Sequence, residues 1–63
     1  MDVRDINDVE LLKAIATRIT RLGQIQSNGL THEQKLDRGL AIIRLAEIKG
    51  QEQADQLMNE LGI

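Results

Sequence analysis

The chain has 63 residues and a formal net charge of −2, with one histidine and no cysteine, proline or aromatic residue. This composition excludes disulfides, thiolate zinc sites and a histidine-based metal cluster, and it argues against bulk attraction to nucleic acid or anionic lipid. A chain this short buries only about 60% of the surface that it exposes when unfolded, so we expect oligomerisation to supplement a small aliphatic core.

The first predicted element is an amphipathic helix over residues 7–27. Apolar residues recur along it at steps of three and four, which is the period of one helix face. They are Leu12, Ile15, Ile19 and Leu22. Two caps compete for its start: Asp2, with Asp5 following, and Asn7, with Glu10 three residues later. The second has the pattern of a capping box, so we expect the helix to begin there.

A turn and a second helix over residues 32–49 follow. Asn28-Gly29 supplies residues that tolerate positive φ, as the end of a helix requires. Thr31, with Gln34 three residues later, predicts a capping box at the start of the second helix.

The second helix is unusually apolar, with seven apolar residues among the nine of segment 40–48. A helix that is apolar around most of its circumference is a buried helix, so we expect it to need more than one neighbour. The residues predicted to form a core or an oligomer interface are Leu36, Leu40, Ile42, Ile43, Leu45 and Ile48.

A third, short helix is predicted over residues 51–61, separated from the second helix by Gly50. Alternatively, the second helix runs through Gly50, because a seven-residue apolar register continues to Leu61. We favour a break at the glycine.

Together these elements predict a single all-α domain over residues 1–63. The predicted architecture is an antiparallel helical hairpin with a short C-terminal third helix, paired in a homodimeric assembly that resembles a four-helix bundle. The alternative is a monomeric three-helix bundle.

Charge is unevenly distributed, which suggests one candidate nucleic-acid patch. Residues 13–44 carry six basic and two acidic residues, whereas residues 1–12 and 45–63 each have a net charge of −3. Folding at the turn is expected to gather basic side chains at the bend of the hairpin, at Arg18, Arg21, Lys35 and Arg38. Without aromatic side chains for base stacking, any nucleic-acid role would depend on contacts to the backbone.

A candidate surface for a protein partner lies on the third helix. It combines acidic and apolar residues: Glu52, Asp55, Leu57, Met58 and Leu61. Aliphatic and methionine side chains on one helix face adapt well to a protein surface.

No arrangement of residues indicates catalysis, because the acidic residues lie at helix starts or on polar stripes and no nucleophile motif is present. We therefore expect no enzymatic activity, cofactor, metal, small-molecule substrate or membrane association. The acidic first residues are unlike a signal peptide, so we expect a cytoplasmic location, in the host cytoplasm if the protein is viral.

The sequence favours a small regulatory protein that acts by protein–protein contact, such as an adaptor, an inhibitor or an antitoxin-like component, with itself and an unidentified protein as partners. The alternative is a regulator associated with structured RNA or DNA through the basic patch.

Overall fold

The structure is a computed structural model that describes residues 2–63. This part of the chain contains three α-helices. They are α1 (Val9–Ile25), α2 (His32–Lys49) and α3 (Gln51–Leu61), and a short 3₁₀ turn at Val3–Asp5 precedes them. No strand occurs within the described range. The prediction of an all-α fold is confirmed, and the packing fits a three-helix bundle.

Helix α2 is the central element of the bundle. It packs against α1, α3 and the N-terminal 3₁₀ turn, whereas α1 and α3 have little contact with each other. Helices α1 and α2 are antiparallel: the side-chain amides of Gln26 and Gln34 exchange hydrogen bonds of 3.0 and 3.1 Å beside the turn. At the other end of the pair, Arg44 donates a hydrogen bond to Asn7.

The core is small and rich in alanine. Leu12 and Leu45 are fully buried at its centre, and Ala16, Ala41 and Ala54 are at most 1% exposed around them. Because alanine has no side chain beyond Cβ, these positions let the helix backbones approach closely. The remaining buried aliphatic residues are Ile6, Ile42 and Leu57.

Helix α1 begins at Val9, two residues later than predicted. The cap is Asp8, whose carboxylate accepts hydrogen bonds from the backbone N–H groups of Glu10 (3.0 Å) and Leu11 (3.2 Å). The predicted cap, Asn7, instead accepts a hydrogen bond from Arg44. The helix also ends earlier than expected, because Gln26 adopts an extended backbone conformation that stops it.

The start of α2 has the predicted capping box. Thr31 Oγ1 accepts from the backbone N–H of Gln34 at 3.1 Å, and Gln34 Oε1 accepts from the backbone N–H of Thr31 at 2.9 Å. Two backbone donors at the helix start are therefore satisfied reciprocally.

The predicted break between the second and third helices lies at Gly50. Its φ of 98° and ψ of 159° fall in a region that residues with a Cβ rarely adopt, so the helix cannot continue through it. The N–H of Gly50 still donates to the carbonyl of Ala46 at 2.8 Å, which completes the last turn of α2.

The N-terminal segment forms a separate 3₁₀ turn that was not predicted, although Asp2 was the competing cap for the first helix. Asp2 caps the 3₁₀ turn by accepting from the backbone N–H of Arg4, and the two side chains form an exposed ion pair of 3.0 Å. The hydrogen bond from the Arg4 side chain holds the pKa of Asp2 below its usual value. Ile6 follows the turn and is buried against the bundle.

Candidate functional site

The six apolar residues of α2 that were predicted to form a core or an oligomer interface divide into three groups by burial. Ile42 and Leu45 are buried in the core of the single chain. Leu40 and Ile48 are half-buried. Leu36 and Ile43 are 53% and 57% exposed, so no element within residues 2–63 covers them.

The exposed residues Leu36 and Ile43 share one side of α2 with Gly39 and Leu40. Positions 36, 39, 40 and 43 are separated by three or four residues, which places them on one face of a helix. This side is opposite to that of Ala41 and Leu45, which face the core. We call it the open face, defined by Leu36, Gly39, Leu40 and Ile43.

The open face continues into a groove of about 280 Å³ between α2 and α3. Every lining residue except Gln51 is apolar or glycine: the others are Gly39, Ile42, Ile43, Ala46 and Met58. The groove therefore suits an uncharged aliphatic side chain better than a polar ligand.

Gly39 lies at the centre of this face, at a position where the single chain gives no reason for a glycine. A Cβ added to Gly39 would meet no atom within 4 Å, and its φ is not positive. Glycine in a helix interior is less favourable than alanine by about 0.8–1.0 kcal/mol. Sequence reasoning passed over Gly39, although a mid-helix glycine on the same helix face as Leu36 and Leu40 was the signal that pointed to it.

Polar residues flank the open face at both of its ends. His32 is exposed at the start of α2, and Glu47 is exposed one turn beyond Ile43. The carboxylate of Glu47 accepts a hydrogen bond of 3.3 Å from Arg44. The face thus has an apolar centre and a polar rim, formed by these two residues at its ends.

The candidate partner surface on α3 is only partly accessible. Glu52 and Asp55 are exposed, and Met58 and Leu61 are half-buried. Leu57 is 6% exposed and belongs to the core, because it packs on the side of α3 that faces α2. Of the apolar members, Met58 is the one that lines the groove beside the open face.

Two of the four predicted basic residues line one depression on α1, and the other two lie on α2. Arg18 and Arg21 lie on the outer face of α1, in a shallow depression of about 550 Å³. All the other residues that line it are also from α1: Glu10, Lys13, Ala14, Thr17 and Leu22. Lys35 and Arg38 belong to α2 and are not among the residues that line this depression.

Within residues 2–63, no group of three or more metal-ligating side chains is close enough to hold an ion, and no helix has the length and hydropathy needed to cross a membrane. No protein-family model, no curated protein and no solved structure matches the chain.

Proposed function

We propose that this chain is a small non-enzymatic regulatory protein that acts by protein–protein contact, with the open face of α2 as its contact surface and a homodimer as its assembled form. The observation that carries the proposal is the exposure of Leu36 and Ile43, each more than half exposed on one side of the central helix. Apolar side chains grouped on one exposed surface and rimmed by polar residues are typical of interaction sites.

The small size of the chain supports the same proposal. A 63-residue chain has a thin core, and covering an apolar face is the remaining way to bury more aliphatic surface. Contact through an aliphatic helix face also requires none of the pockets or paired titratable groups that catalysis needs.

The test is capture from native lysate after nuclease treatment, with the wild-type protein and a double variant of the open face, Leu36→Ser with Ile43→Ser. Because both residues are exposed, the variant is expected to keep the helical circular dichroism of the wild type. We expect the wild-type protein to retain a specific protein after nuclease and the variant to lose it. Equal retention by both proteins would refute the open face as the contact surface.

The matched control is a double variant on the outer face of α1, Arg18→Ser with Arg21→Ser. It alters two exposed positions on α1, a different helix from the one that carries the open face, and is expected to retain the same protein as the wild type.

This control also tests a second candidate function, association with structured nucleic acid. That candidate rests on Lys13, Arg18 and Arg21, which line one depression on α1. It requires that nucleic acid is captured without nuclease, that capture falls steeply with salt, and that the arginine variant loses it. The acidic Glu10 at one end of the depression weighs against it.

A further inference from the structure

We infer that the open face of α2 is covered by α2 of a second copy of this chain, in an antiparallel pairing whose two-fold axis passes between Gly39 and Leu40. The inference rests on the proposed function, since it names the occupant of the same surface. It is carried by two independent features of α2, the glycine at its centre and the order of the residues along the open face.

Gly39 is the glycine for which the single chain supplies no reason. Three of the five glycines have a positive φ, and Gly23 lies against the side chain of Leu30. At Gly39 a Cβ would enter open space. A glycine lowers the stability of a helix, and no contact within the chain requires one here. Its presence is explained if the backbone or a side chain of a second molecule packs closely against this position.

The order of residues along the open face is self-complementary. When two copies of α2 lie antiparallel about an axis between Gly39 and Leu40, residue positions that sum to 79 face each other. Leu36 then faces Ile43 of the second copy, and Leu40 packs into the space above Gly39 of the second copy. One aliphatic contact and one close approach are therefore made twice, as two-fold symmetry requires.

The polar residues at the two ends of the open face also face each other in this register. His32 faces Glu47 of the second copy, so an imidazole N–H is placed to donate a hydrogen bond to a carboxylate. In a parallel pairing each residue would face its own equivalent, and the two Glu47 carboxylates would repel each other. The rim therefore favours the antiparallel arrangement.

The first test is the mass of the protein over a dilution series from about 1 mM to about 1 μM, the range in which a small interface dissociates. Light scattering with refractive-index detection suits a chain without Trp or Tyr. We expect the mass to fall from dimer to monomer on dilution. For Gly39→Ala we expect the association constant to drop by about tenfold or more, since the added methyl occupies the space of Leu40.

The same substitution should stabilise the monomer, so that a weaker association could not be attributed to a folding defect. At protein concentrations low enough for the dimer to be dissociated, Gly39→Ala should unfold at a higher urea concentration than the wild type. Alanine favours the helix, and its methyl group meets no atom of the same chain. Gln53→Ala, at an exposed position on α3, is the control and should leave the association constant unchanged. A wild-type protein that stays monomeric, or a Gly39→Ala protein that dimerises as well as the wild type, would overturn the inference.

The register is tested by disulfide mapping, which is clean because the chain has no native cysteine. Under mild oxidation, a mixture of Leu36→Cys and Ile43→Cys proteins should form the mixed disulfide. Neither protein alone should cross-link efficiently, since seven residues separate the two positions by about 10 Å along a helix, beyond the reach of a disulfide. Cross-linking of each variant with itself would indicate parallel pairing and refute the register.

These results are separable from those of the capture experiment. A monomeric wild-type protein whose captured protein is lost from the open-face variant would refute self-pairing and the homodimeric form, and would leave the open face as the surface that contacts another protein. A mapped dimer without any captured protein would support the pairing and refute a further regulated partner.

Discussion

At the scale of single residues, Gly23 and Leu30 form a close contact between α1 and the turn that follows it. A methyl group on Gly23 would lie 2.8 Å from Leu30 Cγ and 3.1 Å from Leu30 Cδ2, which is closer than carbon atoms pack. Leu30 therefore packs directly over the α1 backbone, immediately before the Thr31 cap of α2.

We expect Gly23→Ala to lower the free energy of unfolding by about 1 kcal/mol, because the strain of displacing Leu30 exceeds the gain in helix propensity. Urea unfolding followed by circular dichroism at low protein concentration measures this change. In a Leu30→Ala background the obstacle is gone, so the same substitution should raise stability by up to about 1 kcal/mol. A destabilisation of equal size in both backgrounds would show that Leu30 is not the cause.

At the scale of elements, Arg44 joins α2 to the N-terminal segment. Its Nε donates to the carbonyl of Ile6 at 3.1 Å, and one of its terminal nitrogens donates to the side chain of Asn7. The guanidinium thus holds a segment that carries a buried isoleucine but has only one short 3₁₀ turn of its own.

We expect Arg44→Met, which keeps an apolar stem and removes the donors, to release residues 3–7 from the bundle. The predicted loss is about 1–2 kcal/mol in the free energy of unfolding, with faster amide exchange in that segment and little change in α3. The matched control is Glu47→Gln, measured in dilute solution where the chain is monomeric; it removes only the partly exposed ion pair with Arg44 and should change stability by less than about 0.5 kcal/mol. Equal effects of both variants would assign the stabilisation to the ion pair.

The elements also show what the sequence could and could not predict. The Thr31 capping box and the Gly50 break follow from local chemistry, and both were predicted because no distant contact decides them. The start of α1 was misplaced because Asn7 and Asp8 are both good caps, and a distant residue, Arg44, engages Asn7. The buried position of Ile6 was missed because a lone apolar residue among polar neighbours has no periodicity.

For the candidate site, the sequence identified the apolar excess of α2 but not its division between inside and outside. Ile42 and Ile43 are adjacent and chemically identical, yet one is 9% and the other 57% exposed. In a helix that is apolar on most sides, the positions of the neighbouring elements decide which residues are buried. Here those neighbours are α1, α3 and the N-terminal turn. The open face is what remains when those three neighbours are in place.

At the scale of the whole molecule, the aliphatic residues of α2 stabilise the fold very unequally, because some are buried in the core and others lie on the open face. Leu45 is fully buried, and truncation of such a leucine typically costs 2–5 kcal/mol through lost burial and the cavity that remains. A short chain with two fully buried leucines has little stability to spare. We therefore expect Leu45→Ala to be largely unfolded at 25 °C, as judged by loss of helical circular dichroism.

Ile43→Ala is the matched comparison, a truncation of similar size on the opposite side of the same helix. In dilute solution it should lower the free energy of unfolding by less than about 1 kcal/mol, because the side chain is already more than half exposed in the single chain. At high concentration the same variant should lose the additional stability that pairing gives to the wild type, since anything that binds the native state alone raises its apparent stability. A large loss in dilute solution would mean that Ile43 supports the fold of the monomer; a loss confined to concentrated solution would mean that it supports contact.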